Sequence, residues 1–184
     1  MSRIPSVDRE TADSRTSALL DTVEKQMGMV PNIVATMAQS TAVANAYLGF
    51  SGALASGCLS SRLREQIALV VAESNDCDYC LAAHTALATG AGLSESEAAE
   101  ARRGNGADAK ESAAIVFAQK IVRNRARVSD EDVQSVREAG FGDGEIAEIV
   151  AAVCLNLFTN YFNHVAQTDV DFPHAPPLAA VQDQ

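Results

Sequence analysis

Residues 32–172, 141 in all, contain no proline. In a chain where alanine supplies 33 of 184 residues, so long a stretch without a helix breaker reads as all-α. β-Branched residues fall inside three-to-four-residue spacings and never in strand-like alternation. The length fits one domain able to bury a full core, and no linker, repeat or composition shift divides it. A single all-α bundle of about 8–9 helices over residues 1–184 is therefore expected, with an extended tail over 167–184 that holds three prolines.

Turn and cap residues set the helix boundaries. A first helix is expected from Thr11 to Met27, stopped by Gly28, then a short one capped by Asn32 and running through Gln39. A third begins at Ser40 or Thr41 and ends near Gly57, with Val43, Ala46, Tyr47, Leu48, Phe50 and Leu54 mostly on one face. Ser60 or Ser61 caps the next, whose apolar body is Arg64–Ala72. A polar break, Glu73–Asp76, precedes a helix from Cys77 to Thr89 closed by Gly90. Ser94–Glu97 and Asp108–Glu111 fit capping boxes, the second opening a helix through Arg123. Ser129 or Asp130 caps a helix to Gly140, and Asp143 leads into a final one, Glu145–Val165, apolar on most faces.

Lys plus Arg number 14 and Asp plus Glu 24, a net charge of −10. That surface repels phosphate backbones and anionic lipid, so neither nucleic acid nor membrane is expected as a partner. No uninterrupted apolar run approaches the ~20 residues of a span, and the opening MSRIPSVDRE lacks the apolar centre of a secretory signal. A cytoplasmic location is the expectation, where thiols stay reduced unless chemistry oxidises them.

The chemistry gathers in Cys77-Asp-Tyr-Cys80-Leu-Ala-Ala-His84. On one helix, positions 77, 80 and 84 share an arc of roughly 60°. Asp76 stands where an N-cap should be, which puts both cysteines in the first turn, near unpaired N–H groups that favour a thiolate. Glu73, Asp76 and Asp78 push the other way, so a modest lowering of the thiol pKa is expected. If the chain reverses at Ser74–Asn75, the two helices form a hairpin, and Glu65 and His84, equally far from that turn, face each other. Glu65 would then orient the His84 ring, and His84 could take the proton of Cys80 one turn away. Cys77 stands ready to resolve an oxidised Cys80 into a disulfide.

The spacing Glu-x11-Cys-x-x-Cys-x3-His, filled by Glu65, Cys77, Cys80 and His84, resembles the carboxymuconolactone decarboxylase/alkylhydroperoxidase D superfamily. So do its flanks, Arg64-Glu65-Gln66-Ile67-Ala68-Leu69 and His84-Thr85-Ala86. Val30-Pro31-Asn32, Asn160-Tyr161-Phe162-Asn163-His164 and Asp169-Val170-Asp171-Phe172-Pro173 look like its peroxidase-related branch, so the likeness spans about residues 28–173. The resemblance implies an all-α fold that forms homo-oligomers and a peroxide-reducing thiol pair. By it, Cys80 attacks, Cys77 resolves, and Glu65 and His84 relay the proton. It also implies a hydroperoxide substrate and an external dithiol reductant, a thioredoxin-like or lipoyl protein. Tyr79 stands where alkylhydroperoxidase D often carries a histidine. The decarboxylase branch typically lacks the CxxC, which counts against lactone chemistry.

Other readings compete. Glu65, Cys77, Cys80 and His84 could hold one metal ion, although no second CxxC completes a structural zinc site, and no metal or cofactor is expected. Leu81 after Cys80 excludes haem attachment. A redox- or metal-responsive module without turnover and a non-redox proton-transfer enzyme built on Glu65 and His84 remain alternatives. Cys154 reads as inert core, Cys58 as exposed and without a partner, Glu73 as solvated, and Met27 and Met29 as helix end and core filler. Asn160, Asn163 and His164 form either a helix C-terminus or a pocket wall. The last helix, apolar on more than one face, suggests a subunit interface.

Overall fold

The computed structural model describes residues 2–180. Among them are nine α-helices: α1 (Ser14–Met27), α2 (Asn32–Met37), α3 (Thr41–Ala55), α4 (Ser61–Ser74), α5 (Asp78–Gly90), α6 (Glu95–Arg103), α7 (Ala109–Arg123), α8 (Asp130–Glu138) and α9 (Asp143–Ala166). A 3-10 turn at Leu178–Ala180 ends the described chain. The all-α expectation and the helix count hold.

Helix α4 is the axis. It packs against α5, α6, α7 and α9, and buries Leu63 and every residue from Gln66 to Ala72. Seven consecutive buried residues include every side of the helix, so this stretch of α4 lies inside and its neighbours supply the cover. Two hydrophobic clusters meet on it. The larger is mostly aliphatic and runs between α4, α6, α7, α8 and α9, around Ile67, Leu69, Ile115, Ile149 and Val153. The smaller gathers α1, α2, α5 and the tail around Leu20, Met37, Ala72, Tyr79 and both motif cysteines.

Local chemistry moves some boundaries. Helix α1 starts at Ser14 because the Asp13 carboxylate accepts the N–H groups of Arg15 and Thr16, which leaves Thr11 outside. Asn32 does not cap α2 with its side chain. Its N–H is instead accepted by Asp171 at 2.7 Å, and its amide donates to the Asp169 carbonyl at 2.9 Å, so the extended tail caps that helix. Phe172 then meets Tyr79 edge-on, with ring centroids 5.9 Å apart. Of the two expected capping boxes, Ser94–Glu97 forms, whereas at Asp108 only half does. The Asp108 carboxylate accepts the Glu111 N–H, but the Glu111 carboxylate turns to Arg62, Gln66 and the Ala107 N–H.

At 24 residues, α9 is long and apolar enough to cross a membrane by length and composition alone, although Asn156, Thr159, Asn160 and Asn163 interrupt its apolar run. Its inner face nevertheless buries Asn156, Thr159, Asn160 and Asn163 against the rest of the fold. Its outer face leaves Val150, Cys154, Phe158, Tyr161 and Val165 exposed at spacings of three or four. Cys154 is therefore on that outward stripe and not in the core, because a helix apolar all round is covered on one side only. Met27 and Met29 are likewise exposed, at 48% and 37%, and fill no core.

Candidate active site

The turn from α4 to α5 is a Schellman closure. Cys77 N–H donates to the Ala72 carbonyl at 3.0 Å and Asp76 N–H to Glu73 at 3.3 Å, with Asp76 at φ 53° in the left-handed position usually held by glycine. Asp76 therefore does not cap α5. Cys77 is the cap residue, just outside the helix, and Cys80 is its third residue. The closure pins the Cys77 backbone to the end of α4 and turns its side chain back over the first turn of α5.

There the two thiols meet. Cys77 Sγ donates to Cys80 Sγ at 2.8 Å, and both residues are 2% exposed. Asn163 on α9 donates its amide to Cys80 Sγ at 3.3 Å. The hydrogen bond from Cys77 holds the Cys80 pKa below the ordinary thiol value, against the opposing effect of burial, and Asn163, Asn160 and Thr159 lower it further. Cys77, as donor to Cys80 and buried beside it, is pushed up instead. The pair thus consists of one sulfur biased toward thiolate and one biased toward thiol.

One turn along α5, His84 Nδ1 lies 2.8 Å from Glu65 Oε2 on α4. The hairpin brings these two together as their equal distance from the turn requires. Burial opposes a charge on the imidazole, but the Glu65 charge and hydrogen bond outweigh it and raise the His84 pKa. Arg62 does not compete for Glu65, since its guanidinium is held by Glu97 and Glu111 at 2.6 and 2.8 Å. Arg64 donates to the Leu59 carbonyl. Glu73 is no solvated bystander either: the buried Arg102 donates to it at 2.7 Å.

Three hollows reach this array. A narrow, mostly apolar one of about 50 Å³ is lined by Cys80, His84, Tyr47, Tyr79 and Phe172. A second of about 180 Å³ exposes Glu65 and the other side of His84, and is again lined by Tyr47. A third, a polar cleft of about 310 Å³, lies beyond Cys77 between the start of α5 and the end of α9. A larger hollow of about 480 Å³ between α5, α6 and the tail touches none of Glu65, Cys77, Cys80 or His84.

Sequence reasoning does not single out Tyr47 beyond its place on the apolar face of α3. Its phenol stands beside the array, its pKa pushed up to about 12, first by burial and then by the charges of Cys80 and Glu65. Tyr79 is a structural pin, its Oη accepting the Ile33 N–H at 3.2 Å. Asn163 lines two of these hollows as the pocket-wall reading expects. Asn160 lies fully buried behind it and accepts from the Asn75 amide, and His164 closes the α4–α5 turn through a 2.7 Å bond to the Asn75 carbonyl. Among the described residues, no group of three or more His, Cys, Asp or Glu side chains converges as a metal site. Cys58 is exposed, its N–H held by Glu148.

Residues 41–124, which hold the whole Glu65-to-His84 array, match the carboxymuconolactone decarboxylase family. No curated protein matches the chain in sequence. An uncharacterized peroxidase-related protein with an alkylhydroperoxidase D core, from Ralstonia eutropha JMP134, superposes at a TM-score of 0.84 and 23% identity over 92% of each chain. A peroxidase-related protein from Silicibacter sp. TM1040 does so at 0.76 and 25% identity, over 91% of this chain and 92% of that one. The debrominase Bmp8, solved in complex with 2,3,4-tribromopyrrole, gives 0.79 at 18% identity over 93% and 92%. The fold is thus that of the alkylhydroperoxidase D-like proteins.

Proposed function

We propose that this chain, a member of the carboxymuconolactone decarboxylase/alkylhydroperoxidase D superfamily, is a thiol-dependent peroxidase that reduces hydroperoxides through Cys80 and Cys77. One observation carries the reading: two thiols 2.8 Å apart, the acceptor sulfur biased toward thiolate, with a Glu65–His84 pair on the next turn. Because a debrominase shares the fold, the fold does not set the electrophile. The narrow pocket at Cys80, too small for a bulky substrate without adjustment, favours a compact reacting group such as a peroxide.

In the proposed reaction His84, oriented by Glu65, takes the Cys80 proton. The thiolate attacks the terminal peroxide oxygen, an S–O bond forms, the O–O bond breaks, and the leaving alkoxide takes the proton held on His84. Cys77 then attacks the sulfenic sulfur, water leaves, and the Cys77–Cys80 disulfide closes. An external dithiol, on a thioredoxin-like or lipoyl protein, returns the pair to the reduced state and leaves as a disulfide. We also propose a homo-oligomer, supported by the outward stripe of α9, where Tyr161 and Val165 are 58% and 63% exposed.

Turnover of tert-butyl hydroperoxide with dithiothreitol tests the reading. Cys80→Ser should fall to background, and Cys77→Ser should oxidise once without closing an intramolecular disulfide. Full turnover in Cys80→Ser would overturn the assignment. Activity that survives loss of both cysteines would move the function to proton transfer by Glu65 and His84.

A further inference from the structure

The two sulfurs open in different directions. Cys80 faces the narrow apolar hollow with His84, whereas Cys77 lies on the floor of the polar cleft, whose wall carries His164. Two buried polar atoms on that cleft lack a partner: Asn163 Oδ1 and Thr168 Oγ1, on residues 5% and 9% exposed. A buried polar group left unpaired costs about 1–3 kcal/mol, and the wall of this cleft keeps an amide oxygen and a hydroxyl in that state. The His164 ring is also prepared. Its Nε2 bonds the Asn75 carbonyl, which can only accept, so Nε2 carries the proton and Nδ1 the lone pair. Nδ1 makes no hydrogen bond among the described residues.

We infer that this cleft is the entry for the reductant, and that its thiol attacks Cys77 with His164 as the local base. The inference rests on the redox reading above and assigns the second half of that cycle to a separate door. His164 takes the proton of the incoming thiol, and the thiolate bonds to Cys77 Sγ. The Cys77–Cys80 bond breaks and Cys80 leaves as the thiolate that Asn163 steadies. The reductant's second thiol then attacks its own mixed-disulfide sulfur, loses its proton to water, and leaves as a disulfide. Cys77 recovers the proton held on His164. Attack at Cys77 expels the more acidic thiol, which is the faster direction of exchange. Asp76, Asp78 and Asp169 also line the cleft, so the dithiol it takes is neutral or cationic rather than anionic.

The disulfide is first closed with diamide, which needs no hydroperoxide. A pulse of 2-mercaptoethanol, acid quenching and peptide mapping then show which sulfur is attacked. The expected adduct is on Cys77, and an adduct on Cys80 overturns the cleft assignment. Stopped-flow reduction by dithiothreitol should be slowed in His164→Asn about 100-fold more than oxidation by tert-butyl hydroperoxide is. Equal slowing of the two half-reactions, or none, overturns the role of His164. Dithiothreitol should outpace anionic dihydrolipoate, and Asp78→Asn should narrow that preference; an unchanged ratio contradicts the charge argument. If diamide closes no Cys77–Cys80 bond, the redox reading itself falls, and this one with it.

Discussion

The two hydrophobic clusters that share α4 follow different rules. Around Ile67, Leu69, Ile115, Ile149 and Val153 the larger one is mostly aliphatic and holds no reactive side chain; the buried Gln66 beside it is tied to α7 through its amide and Glu111. On the other side of the same helix the smaller cluster contains both motif cysteines and abuts the polar face of α9, where Asn163 Oδ1 has no partner. The first region supplies the stability that the second gives up to hold reactive sulfur beside an unpaired acceptor. Substitutions on the two sides of α4 should therefore separate cleanly into losses of stability and losses of chemistry.

The largest chemical effect belongs to Cys80→Ser, which should abolish the fast reaction with hydroperoxide while leaving the urea midpoint nearly unchanged. On the aliphatic side, Ile67→Ala or Leu69→Ala should cost about 2–5 kcal/mol in urea unfolding, because both residues are fully buried. Reactivity per folded molecule should survive either change. A loss of reactivity without a loss of stability there would erase the distinction between the clusters.

Next in size is Glu65→Gln. It should slow oxidation of Cys80 by about 100-fold, the lower range for a positioned general base. NMR should show the His84 titration falling, because the carboxylate that raises it is gone and burial is unopposed. The same pair has a pH signature in the wild type. A histidine whose folded pKa is raised contributes stability that is fully present below its unfolded value of about 6.5 and is lost as pH rises through the folded value. Glu65→Gln should remove that slope from the urea midpoint measured across this window. Asn163→Ala comes lower: without its donor the Cys80 pKa should rise by less than about one unit, read from iodoacetamide alkylation against pH. Cys154→Ser, on the outward face of α9, should stay within about 0.5 kcal/mol of the wild type in unfolding.

The sequence shows the α4–α5 hairpin because helical spacing and the position of a turn suffice to pair Glu65 with His84. It does not show that Asp76 takes the left-handed closing position, since that depends on the Cys77 N–H reaching Ala72 across the turn. Placing Asp76 as a cap moves both cysteines one step along the helix. Composition marks α9 as apolar but cannot say which side is covered. Cys154 consequently reads as core, and Asn163 as a pocket wall without its bond to Cys80. Tyr47 is hidden for a different reason: it sits on α3, far in sequence from the motif, and only the packing of α3 against α9 brings its phenol to Cys80 and Glu65. Glu73 and Arg102 are 29 residues apart, and their pairing follows from α6 lying on α4.

The central claim is that Cys80 and Cys77 form one redox unit driven by Glu65 and His84. Thiol counting and disulfide mapping on reduced protein, before and after one equivalent of an organic hydroperoxide, test it most directly. The account predicts rapid loss of two thiols, a Cys77–Cys80 bridge, and free thiols at Cys58 and Cys154. Unchanged thiols, or a bridge that involves Cys58 or Cys154, would contradict it.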